Sequence, residues 1–208
     1  MICRANRCVA VLGTAAAALL LASCTPSRLV SQQANPEYVG KSFKSVMVVA
    51  VTADEIVRRT FEDRMITLLG QHGAKGIPGY DAVGKRGKVE EADLRQAIAR
   101  SGAEGVLITR VTRVERASGT ISGGTGFVGY GWGGFYGYYS GVWQAVELPP
   151  TQFSGAAFTA SETRLFDAKS GALAWTGLMS TRENDDLSTV LTQYIEVIFE
   201  AMVSDRVL

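Results

Sequence analysis

The valine-rich run Ser45 to Val51, Ser-Val-Met-Val-Val-Ala-Val, constrains the fold more than any other stretch of the chain. Successive residues of a strand point to opposite sides, and here both sides are apolar, which predicts a central strand buried on both faces. Thr52 and Glu55 then read as a capping box, in which each side chain satisfies the other residue's free backbone donor. Val57, Phe61, Met65, Leu68 and Leu69 follow at helical spacing, with Gly70 or Gly73 as terminator. Ala74 to Pro78 predicts a short second strand. Glu90 to Arg100 predicts a second helix, acidic at its start, with Leu94, Ala97 and Ile98 inward and Gly102 at its end. Gly105 to Arg116 predicts a third strand, with Val106 and Ile108 on one face and Arg110, Thr112 and Arg113 emerging into solvent. This βαβαβ order implies parallel neighbours joined by right-handed crossovers.

The chain then changes character. Glycine recurs from Gly119 to Gly141, interleaved with Phe127, Tyr130, Trp132, Phe135, Tyr136, Tyr138 and Tyr139. After Pro149 and Pro150, Ala156 to Phe166 and Ala172 to Thr181 read as a hairpin closed by Asp167-Ala168-Lys169-Ser170-Gly171, where Gly171 can take the positive φ that the turn requires. Asp185 or Asp186 caps a last helix whose apolar face is Leu187, Val190, Leu191, Tyr194, Ile195, Ile198 and Met202. The expected fold is α/β: a mixed β-sheet of about five strands in the order βαβαβ-β-β-α, with helices packed on it and a Gly/Tyr-rich loop interrupting it.

At the other end of the chain, Arg4 and Arg7 precede an apolar stretch, Val9 to Ala22, that is too short for a stable membrane span. It ends in Leu21-Ala22-Ser23-Cys24, which resembles the lipobox of bacterial lipoproteins at every position. That resemblance implies that residues 1–23 are a signal peptide, and that Cys24 receives a diacylglycerol thioether, becomes the N-terminus and is acylated again. Acyl chains at about 0.8 kcal/mol per buried methylene make a stable anchor. Thr25, rather than an aspartate, follows the cysteine, which favours the outer membrane under enterobacterial-type sorting. Residues 24–44, polar and carrying Pro26, Gln32, Gln33, Asn35 and Pro36, read as a flexible lipidated tether. Residues 45–208 read as a single domain with an insertion at 119–150.

Composition narrows the chemistry. Cys3 and Cys8 leave with the signal and Cys24 is consumed by lipid, so the mature chain keeps no thiol for a disulfide or a metal. The formal charge of +1 falls by two with Arg4 and Arg7, to about −1, which gives no basic field for nucleic acid.

Individual motifs add little. Gly79 to Lys85 has the spacing of a phosphate-binding loop, but Arg86 replaces the Ser or Thr that would hold magnesium, and Gly87-Lys88 separates it from the next helix. Gly124-Thr125-Gly126-Phe127-Val128-Gly129 fits a dinucleotide fingerprint only as a string, because the glycines that follow oppose the helix the motif needs. His72 reads as a helix C-terminal residue interacting with the dipole. The acidic pairs Asp54-Glu55, Glu62-Asp63, Glu90-Glu91 and Asp185-Asp186 mostly sit where helix starts favour negative charge. Trp175 beside Leu173 reads as a core residue, and Trp143 borders the tract. No catalytic residue, metal ligand or cofactor is expected, and the chain is read as not an enzyme.

The three-strand core, the hairpin Thr163-Arg164-Leu165-Phe166-Asp167-Ala168-Lys169-Ser170-Gly171-Ala172-Leu173-Ala174-Trp175 and the closing helix together resemble a family of uncharacterised proteobacterial outer-membrane lipoproteins. These are similar to the TolB N-terminal domain and to lipoprotein activators of penicillin-binding proteins. The resemblance spans roughly Phe43 to Leu208 and implies no catalytic residues; the Gly/Tyr tract departs from the compact activators. Glycine gives the tract backbone freedom while its aromatics supply amphipathic surface, a pairing suited to adaptable contact. The expected role is therefore a non-enzymatic interaction or assembly module of the cell envelope, anchored to the outer membrane with its domain in the periplasm. Its partners would be the membrane through its lipid, and another envelope protein or a second copy. The contact residues expected are Tyr130, Trp132, Phe135, Tyr136, Tyr138, Tyr139 and Trp143, alongside Cys24 for lipid. The alternative is a domain that binds an envelope glycan or peptidoglycan fragment on the same aromatics.

Overall fold

The computed structural model describes residues 27–52, 54–82, 91–116, 134–139, 157–183 and 186–208, without the side chains of 82, 91, 111–116, 157–159, 183 and 187. Cys24, Tyr130, Trp132 and Trp143 lie outside the described residues. Six strands, β1 (Ser27–Ala34), β2 (Ser45–Val51), β3 (Lys75–Pro78), β4 (Gly105–Arg116), β5 (Ala157–Asp167) and β6 (Leu173–Glu183), form one sheet in the order β1-β6-β5-β4-β2-β3. β2 is parallel to β3 and β4, whereas β4, β5, β6 and β1 pair antiparallel in turn. The helices are α1 (Glu55–Gln71), α2 (Gly79–Ala82), α3 (Glu91–Ser101), a helical turn α4 at 135–139, and α5 (Leu187–Ser204). The fold is α/β with a mixed sheet, as the sequence predicts.

β2 divides the core. Val46, Val48 and Ala50 join one apolar cluster with Phe61, Met65 and Leu69 of α1 and Tyr194, Ile198 and Met202 of α5. Met47, Val49 and Val51 join a second with Leu94 and Ile98 of α3. The chain steps from β2 outward to β3, then back across β2 to β4. Two crossovers of one hand that step in opposite directions put their helices on opposite faces, and α1 and α3 are so placed.

Local structure follows residue chemistry, with two shifts from expectation. Asp54, not Thr52, caps α1, accepting from the amides of Ile56 (2.8 Å) and Val57 (3.1 Å), while Thr52 Oγ1 accepts from Asp54 N at 3.2 Å. A carboxylate has more acceptor capacity than a hydroxyl and complements the helix dipole. Arg58 and Glu62, rather than Val57 and Leu68, complete the buried stripe of α1. At its end His72 is the C-cap, its Nδ1 3.1 Å from Leu68 O, and Gly73 follows at φ +81°. Asp186 caps α5 through Thr189 N (3.1 Å). In the hairpin turn, Asp167 Oδ1 accepts from the amides of Lys169 and Ser170, and Gly171 adopts φ +71°.

The expected tether is different. From Ser27 onward it is an edge strand, followed by a segment whose Tyr38 and Phe43 are buried and stacked 6.1 Å apart. Ser27 Oγ lies 3.1 Å from Thr181 Oγ1, Leu29 and Ala34 pack on the first cluster, and Gln32 Nε2 donates to Asp205 Oδ1 at 3.1 Å. An edge strand keeps much of its surface wet, so its composition imitates a linker. Ser27, the first residue of β1, stands three positions after Cys24 in the sequence.

Candidate functional site on the second face of the sheet

The second face is unequally covered. α3 lies over the β2 and β4 part, and the surface toward β5 and β6 is closed by α4, from the middle of the Gly/Tyr tract. Phe135 N donates to Gly171 O at 2.9 Å, tying the start of α4 to the β5–β6 turn. Phe135 and Tyr139 are each 2% exposed and pack with Phe166, Leu173, Val106 and Ile108. The Phe135 ring meets Phe166 edge-on, 5.5 Å between centroids. The structure therefore places two of the expected contact residues in the core, where they are unavailable as stacking platforms. Gly137 leaves open space where a Cβ would stand, so this glycine fills no packing role.

Tyr136 and Tyr138 are half-buried at the margin of the same cluster. The Arg95 guanidinium sits 3.6 Å from the Tyr136 ring centroid. Tyr138 enters a polar cluster built by sheet register: Arg110 of β4 is opposite Glu162 of β5, and Glu162, Arg164 and Phe166 alternate onto one face. Tyr138 OH donates to Glu162 Oε2 at 3.0 Å and accepts from Arg110 Nε at 3.1 Å. Arg110 reaches the same carboxylate oxygen with Nη2 at 3.0 Å. Arg164 grips Oε1 with Nε at 2.8 Å and Nη2 at 2.6 Å, and its Cζ lies 4.3 Å from the Tyr138 ring centroid. Arg110, read from sequence as turning to solvent, instead has a side chain only 10% exposed.

The electrostatics make this a latch. Burial pushes the Tyr138 phenol well above its ordinary range, and the Glu162 charge adds to the shift. The hydroxyl therefore stays protonated and can keep donating. Both Glu162 oxygens accept from charged donors, Oε2 from Arg110 and Oε1 from Arg164, so the carboxylate is held in place from two sides. Two guanidiniums share one carboxylate, so breaking the pair would strand buried charge. Sequence reasoning missed this site, although one signal was present. Glu162 and Arg164 share the period-two face of the apolar Phe166, and charges on a buried face must be paired.

Two further polar arrangements are structural. Tyr194 OH is 2.8 Å from both Thr109 Oγ1 and Thr163 Oγ1, fastening α5 to the first face. Glu62 accepts from Ala50 N at 3.0 Å and Tyr80 N at 2.9 Å, joining α1 to β2 and α2; burial raises its pKa to about 6. Among the described residues, no group of three or more His, Cys, Asp or Glu could hold a metal ion, and no helix is long and apolar enough to cross a membrane.

No protein-family model and no curated protein matches the chain. Among solved structures it is similar to a PelC dodecamer from Paraburkholderia phytofirmans, at 13% identity over 88% of this chain and 99% of that one, with a TM-score of 0.43. It is also similar to lipoprotein GNA1162 from Neisseria meningitidis, at 16% identity over 77% and 98% of the two chains, with a TM-score of 0.38. The likeness to the TolB N-terminal domain and to penicillin-binding-protein activators is not shown by these comparisons. No residue correspondence follows at such identities, so each role rests on this chain's own side chains.

Proposed function

We propose that the protein is a lipid-anchored, non-enzymatic interaction or assembly module of the cell envelope, held at the outer membrane with its domain in the periplasm. The observation that carries this reading is the position of Cys24, at the end of a lipobox and three residues before β1. Three residues span at most about 11 Å, so lipid on Cys24 would hold the folded domain against the bilayer. The domain would then meet partners within a thin layer next to the membrane. The saturated Glu162 and the protonated Tyr138 fit a scaffold that holds the tract in place.

The partner-facing aromatics in this reading are Tyr130, Trp132 and Trp143, since Phe135 and Tyr139 are committed to the core. The test keeps the latch intact. Trp132→Ala with Trp143→Ala and Tyr130→Ala should leave the melting temperature unchanged while removing crosslinked partners from intact envelopes. An unchanged set of crosslinked partners would refute the assignment. Mass spectrometry of the mature protein should find acylation on Cys24, and an unmodified N-terminal region would refute the anchor.

A further inference from the structure

We infer that one pole of the sheet, where β1 begins, faces the bilayer and that the strands run away from it, so that the headgroup zone around the anchor is this pole's docking partner. The inference rests on the lipid anchor proposed above and adds an orientation to it. In the register, Ser27 is opposite Thr181, Thr181 is opposite Thr159, and Thr159 is opposite Val114. Ser27, the first residue of β1, is thus level with the end of β4 and the start of β5. Arg116, the last residue of β4, and Ala157, the first of β5, are paired at this pole, and the Gly/Tyr tract lies between them in the sequence. α5 also starts there, because it follows β6; β2 ends short of this level, at Val51 opposite Arg110, and α1 starts beyond it toward the same pole. Ile56, in the first turn of α1, is 75% exposed, the most exposed large apolar side chain among the described residues.

The opposite pole carries the β5–β6 turn, the end of β1 at Ala34 and the C-terminal end of α5. Thr181 and Leu173 are eight residues apart along β6, which at about 3.4 Å per residue separates the poles by roughly 27 Å. Cys24 reaches only about 11 Å beyond Ser27, so the far turn could meet the bilayer only if the domain lay on its side. That pose would press the outer edge of β1 to the membrane. An edge strand carries unpaired backbone groups, which hydrocarbon cannot satisfy, and Arg28 and Gln33 are exposed along it. Standing on the near pole avoids that desolvation.

The test uses full-length lipidated protein in phosphatidylethanolamine/phosphatidylglycerol vesicles. Lipid occupies Cys24, so a single introduced cysteine can be labelled alone. Ser188→Cys, in the first turn of α5, and Lys169→Cys, in the far turn, both lie far from Cys24 in sequence and are exposed. Each is labelled with a fluorophore and quenched by headgroup nitroxide lipid. The expected result is at least threefold stronger quenching at position 188 than at 169 in vesicles that carry the protein on flotation. Equal quenching, or stronger quenching at 169, in floating vesicles overturns the orientation and leaves the anchor standing. Protein that does not float overturns both.

Discussion

The Tyr138 hydroxyl donates to Glu162 Oε2 at 3.0 Å across the second face of the sheet. Through that bond a residue of the glycine-rich tract is coupled to a carboxylate held by Arg110 and Arg164. Tyr138→Phe keeps the ring under Arg164 and removes only the hydroxyl. It should lower unfolding free energy by about 1 kcal/mol, read from the denaturant midpoint. Glu162→Gln should lower it more, by about 3 kcal/mol, because two buried guanidiniums lose their counter-charge. Equal effects would show that the carboxylate is not the centre of the cluster.

Trp175 is fully buried in β6 and donates Nε1 to Asp205 Oδ2 at 2.8 Å, while a Cβ at Gly177 would stand 2.2 Å from the indole Cη2. Gly177→Ala should therefore destabilise the fold by roughly 1–3 kcal/mol, or shift the indole enough to alter its fluorescence. A thermal melt and emission spectrum both unchanged would contradict the packing.

Glu62 titrates at about 6 in the folded protein against an ordinary value of 4.5, because burial penalises its charge. The folded state then binds the proton more tightly than the unfolded chain. This stabilisation is fully present below pH 4.5 and is lost as pH rises through about 6, a decline of up to about 2 kcal/mol. Glu62→Gln cannot ionise and should flatten this part of the curve, measured by urea unfolding between pH 4 and about 7. A slope identical in the variant would assign the dependence to other groups.

β1 is a structural element, and its removal should show it. A chain beginning at Ser27 should melt as one beginning at Cys24 does, whereas one beginning at Asn35 loses the Leu29 and Ala34 contacts and the Gln32–Asp205 bond. A drop of at least about 2 kcal/mol is expected from the lost burial. Matching melts would restore the tether reading for these residues.

Much of the fold was legible because it is written in apolar periodicity. β2 is buried along Val46 to Val51, α3 buries Leu94, Ala97 and Ile98, and Gly171 takes the positive φ its turn requires. Two elements were hidden for opposite reasons. β1 is polar because an edge strand is partly wet, and it is fixed by partners such as Thr181 and Asp205 that lie far away in sequence. α4 contains glycine, whose propensity opposes a helix, and tertiary burial of Phe135 and Tyr139 overrides that local preference. The Arg110–Glu162–Arg164 cluster depends on strand register, which the sequence of one strand alone does not specify.

The aromatic tract is built into the fold at its middle, and hydrogen exchange at the Phe135 amide reads this out. That amide donates to Gly171 O at 2.9 Å beneath a closed apolar cluster. Protection of at least about a hundredfold over an unstructured peptide is expected, reduced in Glu162→Gln. Exchange at the unstructured rate in the native protein would contradict it.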